Sequence, residues 1–445
     1  MAAIWRPFSA ILVDESSPRS GPMSRPICIS RRTFVQRAGA ASAAIALPMY
    51  LPARVLGREG AAPPSEQVRI GFIGTGGRAR QLMDQVPDGG RIVAIADCYL
   101  QRMAETLQQK QQTWPAYRDY RSMLDKEQLD AVVVATPDHG RTLPCIRAMQ
   151  AGLDVYAEKP LTAYIREGRA LVTAARKLGR VFQVGSQQRT MEINEFCCRF
   201  VREGGLGTIK KVQGVCYTGP RSMETLPEEP TPEGDDWNAW CGPAPLRPFN
   251  AQLQFGWMQW RDYSGGEMTN WGAHGVDQIQ WALGKSHSGP TELWPETPGP
   301  HGKVSMKYDD GTLVSFELEG GPMGGAIFIG SQCKMEINRN KFTTNPPDFV
   351  KDAPPPAVQG KWEGDGWIAR PHIQNWLDCI KTRELPNADV EIGHRSISVC
   401  HLVNITRELG RRLTWDPENE RFVGDDQANG LLDRPRRAGY ELPEV

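Results

Sequence analysis

The stretch VRIGFIGTGGRA, residues 68–79, joins a short run rich in Val and Ile to a glycine-rich turn. The turn fits the pattern G-x-G-x-x-A between a strand and a helix, through Gly74, Thr75, Gly76, Gly77, Arg78 and Ala79. The first glycine allows the tight turn, the second lets the backbone approach a pyrophosphate, and the small last residue lets the helix pack on the strand. Unpaired N–H groups at the helix N-terminus then face the anion. The stretch therefore predicts a dinucleotide site.

An acidic residue follows at the distance expected for a ribose-binding group. A second apolar run, residues 91–96, ends in Asp97, about twenty residues past the glycines. A carboxylate here accepts a hydrogen bond from the ribose 2′-OH of NAD and repels the 2′-phosphate of NADP. We therefore predict NAD as cofactor, with NADP as the second choice because the nearby Arg102 is a group that binds such a phosphate. The alternative is an ordinary βα turn with a surface aspartate.

Length and charge limit the classes of protein that the chain can form. It has 445 residues, enough for two domains with substantial cores. The formal net charge is zero and no strongly basic block occurs, which speaks against a nucleic acid or an anionic membrane surface as partner. No apolar run is long enough to span a bilayer. The ten cysteines include no C-x-x-C pair, so we expect no thiolate zinc site and no metal.

Residues 1–65 precede the first strand and carry an export pattern. Arg31 and Arg32 stand in the run Ser-Arg-Arg-Thr-Phe, and a short Ala-rich, weakly apolar segment follows at residues 38–47. The pattern resembles a twin-arginine signal, which is an address and not an anchor. It predicts export by the twin-arginine machinery to the periplasm or cell envelope, with the dinucleotide loaded before export. The alternative is a tail that happens to contain two arginines.

Residues 66–188 alternate strand and helix patterns. After the glycine turn and Asp97, further strand patterns at 131–135, 154–157 and 181–184 are separated by helical ones. This alternation predicts right-handed βαβ units and a doubly wound parallel sheet, a Rossmann fold. Ligands bind at the carboxyl ends of such strands. The cofactor-binding residues that we predict there are Thr136, Pro137, His139, Glu158, Lys159 and Gln187.

Residues 189–425 are predicted to form a second domain of the α+β class. Residues 218–250 are dense in Pro, Gly and acidic residues and predict either a functional lid or a mobile insertion, since their tryptophans suit both. Strand patterns at meander-like spacing predict an open, mostly antiparallel sheet, near residues 304–308, 313–319, 326–329 and 334–337. A polar, irregular C-terminal tail follows at residues 426–445.

A strand end in the first domain carries the first candidate catalytic group. Glu158, Lys159 and Pro160 follow the predicted strand at residues 154–157. Proline biases the preceding lysine toward an extended backbone, which directs its ammonium into the crevice where a nicotinamide lies. A partly desolvated lysine there hydrogen-bonds a substrate hydroxyl and relays its proton. The alternative is an exposed lysine at a strand end.

A helix pattern in the second domain carries the other candidate group. From Asn270 to Gly284 the sequence predicts a helix, in which Asn270 and His274 share one face and Asp277 lies one turn beyond. A histidine so placed accepts a proton near neutral pH. The alternative is a core histidine bonded to a neighbour, because titratable side chains also occur as structural groups.

Together these motifs resemble the Gfo/Idh/MocA family of NAD(P)-dependent oxidoreductases, over residues 68–425. They occur in the family's order: the glycine turn, Thr136-Pro137-Asp138-His139, Glu158-Lys159-Pro160, and the segment ending at His274. The resemblance implies reversible hydride transfer at a carbinol of a sugar, glycoside or cyclitol, tightly bound NAD, and a homo-oligomer formed through the second domain's sheet. It implies catalytic roles for Lys159 and His274, with Asn270 beside them. The residues expected to contact substrate are Arg189, Tyr263, Trp271, His274 and Asp277.

Two positions depart from the family's pattern. Asn270 stands where the family usually has an aspartate, and Arg141 stands where a second histidine commonly occurs. An asparagine neither takes a proton nor holds an imidazolium by charge. Three functions therefore stay open. They are an exported dehydrogenase of a carbohydrate or polyol, a glycosidase that oxidises, eliminates, hydrates and re-reduces with NAD held throughout, and a dinucleotide-binding protein with little catalysis, which Asn270 favours.

Overall fold

A computed structural model describes the protein over residues 66–353 and 369–445. The export signal predicted around Arg31 and Arg32, with the linker to residue 65, lies outside the described residues. Across the described ranges, no helix combines the length and the apolar character needed to cross a membrane. Two large sheets organise these residues, one in each predicted domain.

The first sheet is parallel and, within the described residues, has the strands β1 (Val68–Ile73), β2 (Gly90–Ala96), β3 (Ala116–Tyr117), β4 (Ala131–Val134), β5 (Asp154–Ala157) and β6 (Phe182–Val184). Their order is β3-β2-β1-β4-β5-β6. The chain leaves β3 at one edge and returns to β4 beside β1, so the strand order reverses between β1 and β4. This confirms the predicted Rossmann fold, in which ligands bind at that switch point.

Helices pack on both faces of this sheet. They include α1 (Gly77–Met83), α2 (Leu100–Lys110), α3 (Tyr120–Lys126), α4 (Thr142–Gln150) and α5 (Ile165–Lys177). On one face Ile70 and Phe72 are buried with Leu82 and with Trp376, which comes from a helix near the end of the chain. On the other face the strands pack in the large cluster that continues into the second domain. The two domains therefore share their cores.

The second sheet includes, in the described residues, β7 (Ile209–Val215), β8 (Glu292–Pro295), β9 (Val304–Lys307), β10 (Leu313–Leu318), β11 (Ala326–Gly330), β12 (Lys334–Asn338), β13 (Lys341–Asn345), β14 (Leu413–Asp416) and β15 (Arg421–Phe422). The order is β13-β12-β11-β7-β10-β9-β8-β14-β15. Neighbouring strands run antiparallel, apart from the parallel pair β7 and β10. This confirms the predicted open, mostly antiparallel sheet.

The second domain and the chain end also carry the helices α6 (Glu192–Arg202), α7 (Trp237–Cys241), α8 (Ala251–Phe255), α9 (Glu267–Ala282), α10 (Arg370–Thr382), α11 (Val390–Leu409) and α12 (Asp426–Asn429). Small and branched apolar residues at helical spacing, Ala273, Val276 and Ile279, give α9 a buried stripe. That stripe lies in the same cluster as Phe316 and Phe328 of the sheet, so the sheet fixes how α9 presents its other residues.

The structure differs from the sequence predictions in three segments. Helix α9 begins at Glu267 rather than at Asn270. The long segment after β7 has a small core of its own, in which Trp237 and Trp240 stack with ring centroids 4.5 Å apart. The tryptophans therefore pack within the segment, and Trp240 also lines the cavity described below, so whether the segment is a lid or a mobile insertion stays a prediction. The predicted irregular tail includes α12 and is bonded to several other elements.

Candidate active site

A cavity of about 730 Å³ opens at the carboxyl ends of β1, β4 and β5. Its volume lies in the range of about 300–1,000 Å³ that is typical of cofactor and small-molecule sites. Nine of the predicted cofactor residues line it: Gly74, Gly76, Gly77, Arg78, Asp97, Thr136, Pro137, Glu158 and Lys159. Side chains from separate strand ends therefore meet at the switch point of the first sheet.

The glycine turn has the geometry of a phosphate cradle. Gly74 adopts φ +90°, and a Cβ added there would lie 2.8 Å from the Ala135 carbonyl oxygen. A Cβ added at Gly76 or Gly77 would meet no described atom within 4 Å, so both face open space where α1 begins. The first N–H groups of a helix have no partner inside it. The turn therefore fits the pyrophosphate of a dinucleotide.

Asp97 lines the cavity, and its carboxylate also holds the glycine turn. One carboxylate oxygen accepts hydrogen bonds from the Thr75 amide at 2.7 Å and the Thr75 hydroxyl at 2.8 Å. The other oxygen accepts from the Tyr99 amide at 2.9 Å. Thr75 is buried and does not face the cavity. Asp97 thus positions the turn, and a remaining lone pair on its Oδ1 is what it offers to a ribose hydroxyl.

Two predicted cofactor residues act from behind the cavity wall. Ala79 is buried where α1 packs on the sheet. Gln187 donates to the Tyr156 hydroxyl at 2.8 Å and to the Glu158 carboxylate at 3.0 Å. Glu158 in turn accepts from the Arg78 guanidinium at 2.9 Å. Gln187 therefore orients Glu158, and Glu158 holds Arg78 at the wall.

Lys159 extends into the cavity from the end of β5 and meets α9. Its Nζ donates to the side-chain oxygen of Asn270 at 2.7 Å and to the Asn270 backbone oxygen at 3.4 Å. Burial lowers the pKa of Lys159 to about 8. The Glu158 carboxylate opposes this shift and the Arg78 guanidinium adds to it. Near that pH both forms of the amine are populated, which suits a group that exchanges a proton with substrate.

His274 does not line the cavity, although the sequence predicts a catalytic role for it. Its side chain is buried, and its Nε2 lies 3.2 Å from a guanidinium nitrogen of Arg339. Burial lowers the pKa of His274 well below its usual range, and the charges of Arg339 and Lys159 act in the same direction. An imidazolium here would face a guanidinium, so the geometry favours a neutral His274 that accepts a hydrogen bond from Arg339.

The other predicted substrate residues stand behind the cavity wall. Arg189 and Asp277 form a buried ion pair with an N–O distance of 2.8 Å. Tyr263 is buried in the aromatic core of the long segment. Trp271 is half-buried beneath the Arg339 guanidinium, which lies 5.2 Å from its ring centroid. None of these four predicted residues is among the described residues that line the cavity, so their contact with substrate stays a prediction.

His139, predicted to bind cofactor, anchors the aromatic core instead of lining the cavity. Its Nε2 lies 2.8 Å from the Trp240 carbonyl oxygen, and its ring centroid is 4.8 Å from that of Tyr263. Burial lowers the pKa of His139 to about 3, so the ring is neutral. The neighbouring Asp138 does line the cavity, accepts from the Ser264 hydroxyl at 2.8 Å, and has a pKa that burial raises to about 6.

Arg141, at the position of the family's second histidine, ties two strand ends together. Its buried guanidinium donates to the carbonyl oxygens of Thr136 and Pro160. It also lies 3.7 Å from the Asp138 carboxylate. Because Thr136 follows β4 and Pro160 follows β5, Arg141 fixes the two cavity walls relative to each other. The same bonds place the Lys159 backbone.

A second wall of the cavity comes from the second domain and the end of the chain. Its residues are Asp236, Asn238, Ala239, Trp240, Gly242, Pro243, Trp257, Met258, Asn270 and Tyr440. Apart from Asn270, sequence reasoning assigned none of them to the site. The tryptophan-rich stretch in a long loop was the available signal for residues 236–243. No local pattern marked Tyr440, which lies in a polar tail.

The C-terminal segment ties this second wall down. Arg437 donates to the Asn238 carbonyl oxygen at 2.8 Å, to the Asn238 side-chain oxygen at 2.6 Å and to the Gly242 carbonyl oxygen at 2.8 Å. Arg434 is buried against Glu167 of α5 at 2.8 Å. The segment thus connects a helix of the first domain to the wall contributed by the second.

Comparison with known proteins places the chain in a family. The model described as "Oxidoreductase family, NAD-binding Rossmann fold" matches residues 68–186. The model described as "Oxidoreductase family, C-terminal alpha/beta domain" matches residues 208–442. The chain belongs to the Gfo/Idh/MocA family of oxidoreductases, as its motifs predict. The second match runs to residue 442 and so includes most of the predicted tail.

Curated relatives include dehydrogenases of cyclitols and members of a glycosidase family. The inositol 2-dehydrogenase of Rubrobacter xylanophilus is 31% identical over 359 residues, covering 76% of this chain and 90% of that protein. The inositol 2-dehydrogenase/D-chiro-inositol 3-dehydrogenase of Halalkalibacterium halodurans is 30% identical, but the match spans only 36% of its length and 27% of this chain. A glycosyl hydrolase family 109 protein of Shewanella baltica is 29% identical over 34% of this chain and 37% of its own length.

Solved structures share the architecture of the chain. The WlbA dehydrogenase from Bordetella pertussis, in complex with NADH and UDP-GlcNAcA, superimposes with a TM-score of 0.57 at 18% identity. The superposition covers 79% of this chain and 99% of that one. At this identity the likeness establishes the fold alone, a Rossmann domain followed by a domain with an open mixed sheet.

Proposed function

We propose that this protein is an NAD(P)-dependent dehydrogenase that transfers hydride to or from a carbinol of a sugar, glycoside or cyclitol. The position of Lys159 carries the proposal. Its Nζ lies in the same cavity as the glycine turn and is held there by Asn270 at 2.7 Å. Oxidation of an alcohol requires a dinucleotide site next to a group that takes a proton, and this cavity joins the two. The family membership and the inositol dehydrogenase relatives support a polyol substrate.

The chain's own residues supply the proton chemistry. A bound nicotinamide supplies the hydride acceptor or donor. Neutral Lys159 accepts the hydroxyl proton of the carbinol, and its ammonium form returns a proton in the reverse direction. Asn270 holds the Nζ in place, while Glu158 stabilises the positive charge. Because the pKa of Lys159 is about 8, oxidation gains from a rise of pH through that value and reduction gains from a fall.

Turnover on a panel of cyclitols, sugars and glycosides tests this function. We expect the purified protein to reduce NAD with at least one of them, and Lys159→Ala to lower the rate about 10²–10⁴-fold. The control is an assay of NAD binding on both proteins, since Lys159 is proposed to act on the reacting hydroxyl. Retained NAD binding without turnover on the whole panel would contradict the proposal and favour the dinucleotide-binding protein with little catalysis.

Asp97 supports the proposal that the protein prefers NAD to NADP. The carboxylate lines the cavity and keeps one lone pair for a ribose hydroxyl. Arg102 lines the same cavity and is the group nearest in sequence that could meet a 2′-phosphate. Asp97→Ser should narrow the preference for NAD over NADP. Asp97→Asn removes the charge but keeps a side-chain oxygen for the bonds to Thr75, so it separates the two effects. Equal or tighter binding of NADP by the parent protein would overturn the assignment.

Tight retention of the cofactor through turnover is proposed on the basis of residues 235–243, called here the cap segment. The Asp236 amide donates to the Cys98 carbonyl oxygen at 3.0 Å, and Asp235 accepts from the Leu100 amide at 3.2 Å. The cap segment therefore lies across the end of β2, where the ribose is expected. Its own position depends on Arg437.

Dialysis of the protein loaded with cofactor tests this retention. Arg437→Ala removes the bonds to Asn238 and Gly242 of the cap segment, and we expect cofactor to leave at least about tenfold faster, because several hydrogen bonds that hold the segment are lost together. Arg421→Ala, at an exposed position on β15, is the control. Equal loss of cofactor from the parent and both variants would show that the cap segment does not retain it.

A redox glycosidase is the second candidate, favoured by the glycosyl hydrolase family 109 relatives. In that reaction the sugar is oxidised, eliminated, hydrated and re-reduced, so NAD returns to its starting state. A cap segment that retains the cofactor suits such a cycle. Aryl glycosides supplied without added NAD distinguish the two functions. Release of free sugar with no net reduced cofactor would identify the glycosidase, and net reduction of NAD would identify the dehydrogenase.

Export is proposed from the twin-arginine pattern. Changing both Arg31 and Arg32 to Lys should leave folded protein in the cytoplasm, because the receptor reads the arginine pair. Cell fractionation with an exported marker as control measures the outcome. Unchanged export of the variant would show that the arginine pair is coincidental.

Self-association through the second sheet is the remaining proposal. Ile327 and Ile329 of β11 alternate with Ala326 and Phe328, which face the helices, so the isoleucines lie on the opposite face. Sedimentation of the parent protein should give a homo-oligomer, and Ile329→Lys should weaken it. A monomeric parent at micromolar concentration would contradict the proposal.

A further inference from the structure

The position that departs most from the family's pattern, Asn270, is bonded on both sides. Its side-chain oxygen accepts from Lys159 Nζ at 2.7 Å, and its side-chain nitrogen donates to the Glu267 carboxylate at 3.0 Å. A carboxylate only accepts hydrogen bonds and an ammonium only donates them. The amide therefore has one orientation that satisfies both neighbours, with nitrogen toward Glu267 and oxygen toward Lys159.

Glu267 is well placed to fix that orientation. It stands in the first turn of α9, where the helix dipole favours a negative charge. Among the described residues it forms no ion pair within 4.0 Å, so Asn270 is its hydrogen-bond partner there. Two consecutive turns of α9 thus carry a carboxylate and an amide that together reach Lys159. An aspartate at position 270 would instead face the Glu267 carboxylate across about 3 Å, and like charges that close do not both ionise.

We propose that Glu267 is a positioning residue for Lys159, and that it supplies from one helical turn away the acid that the family usually has at position 270. Glu267 orients the Asn270 amide. The amide oxygen, polarised by the bond between the amide nitrogen and Glu267, then accepts a hydrogen bond from the Lys159 ammonium. Only the catalytic use of Lys159 in this inference rests on the proposed function; the positioning of Lys159 by Glu267 and Asn270 does not. Asn270 then signals a rearranged site and not a loss of catalysis.

Other charges also act on the Lys159 ammonium and must stay constant in a test. Glu158 at the end of β5 and Asp138 after β4 favour the charged form, whereas Arg78 at the glycine turn and Arg339 after β12 oppose it. His274 on α9 is neutral beside Arg339. Substitutions confined to positions 267 and 270 leave these groups unchanged.

Exchange of the two groups gives a sharp test. The double variant Glu267→Gln with Asn270→Asp keeps the hydrogen-bond pattern and moves the carboxylate into direct contact with Lys159. The singles are Glu267→Gln, Glu267→Ala and Asn270→Asp, and Glu195→Ala on the exposed face of α6 is the surface-charge control. The protonation of Lys159 is measured without turnover, from the pH dependence of its modification by trace acetic anhydride, quantified by mass spectrometry. Thermal unfolding checks that each variant folds.

We expect the exchange variant to raise the midpoint of Lys159 modification by about one pH unit or more, as an opposite charge at contact distance does. Asn270→Asp alone should raise it less, because the two carboxylates share a proton. Glu267→Ala should lower it, and should slow the reaction about ten- to a hundredfold, with unchanged cofactor affinity, as a misplaced group does. If Glu267→Ala does not fold, the exchange variant and Glu267→Gln carry the test.

An equal shift in Asn270→Asp and in the exchange variant would overturn the inference, because it would mean that Glu267 does not act on position 270. So would an unchanged midpoint in every variant. Failure of the proposed function gives a different result, because modification of Lys159 requires neither substrate nor turnover. A protein with the expected midpoints and no dehydrogenase activity would keep the positioning role and refute only the reaction.

Discussion

The strand ends of the first sheet and helix α9 both carry predicted catalytic residues, yet they present them differently. At the strand ends, Asp97, Glu158 and Lys159 all face the cavity. On α9, Asn270 faces it, while His274 and Asp277 are buried against Arg339 and Arg189. The topology of a parallel sheet brings its strand ends to one edge, whatever the side chains are. On a helix, only the face that does not pack against the core is available to line a site.

This difference separates two kinds of basic residue. Lys159 lines the cavity, and its pKa of about 8 places its titration in the working range of an enzyme. His274 lies in a buried pocket with its ring nitrogen 3.2 Å from a guanidinium. The first is suited to exchange a proton with substrate, and the second is suited to hold Arg339. The comparison makes four predictions, from the largest expected effect to the smallest.

Lys159→Ala should have the largest effect. Loss of the group that takes the hydroxyl proton lowers the rate about 10²–10⁴-fold, with cofactor affinity little changed. Steady-state rates on the best substrate and a cofactor-binding isotherm measure the two parts. Lys334→Ala, at an exposed position of β12, is the control. A variant with near-parent rate would remove Lys159 from the mechanism.

Substitutions in the glycine turn should separate folding from binding. Gly74→Ala places a Cβ 2.8 Å from a backbone oxygen at φ +90°, so we expect a loss of about 1–3 kcal/mol in unfolding free energy together with cofactor binding. Gly76 has φ −65° and open space, so Gly76→Ala should keep stability within about 0.5 kcal/mol while it blocks the phosphate. Urea unfolding and cofactor titration measure both. Full cofactor affinity in Gly76→Ala would mean that the phosphates lie elsewhere.

His274→Ala should slow the reaction less than Lys159→Ala, by under about tenfold, because His274 does not touch the cavity. The rise of the oxidation rate through about pH 8 should remain, since it belongs to Lys159. A pH–rate profile of the parent and the variant decides this. Disappearance of the inflection from the variant would restore His274 as the base and refute the placement argued here.

The smallest predicted effect is on the pH dependence of stability. Burial lowers the folded-state pKa of His274 well below its unfolded value of about 6.5. Its contribution to the unfolding free energy is therefore fully present above about pH 6.5 and is lost as the pH falls, because the unfolded state then binds a proton that the folded state does not. Between about pH 8 and pH 6, His274→Gln should therefore lose about 1 kcal/mol less unfolding free energy than the parent. Urea unfolding at both values measures it. An identical loss in both proteins would show that His274 is not held neutral.

Much of the first domain could be predicted because its signals are local. The glycine turn, Asp97 and the motif at Glu158 are each read within a few residues of a strand end, and the parallel topology then brings them together. The second wall was harder to predict, because Asn238 and Tyr440 are distant in the chain. Only the fold brings the Tyr440 hydroxyl within 3.4 Å of the Asn238 carbonyl oxygen and places Arg437 against both residues. No local pattern encodes such a meeting.

By itself the sequence determined the Rossmann fold, the mostly antiparallel second sheet, the family and the position of Lys159 at a strand end of the first sheet. Periodicity and short motifs suffice for these, because the spacing of apolar residues and the residues that a turn requires are both local features of the sequence. Tertiary structure alone decided that His274 is sealed beside Arg339 and that Glu267 reaches Lys159 through Asn270. Orientation on a helix, burial and the partner of each charge depend on what packs against it, and those neighbours come from distant parts of the chain.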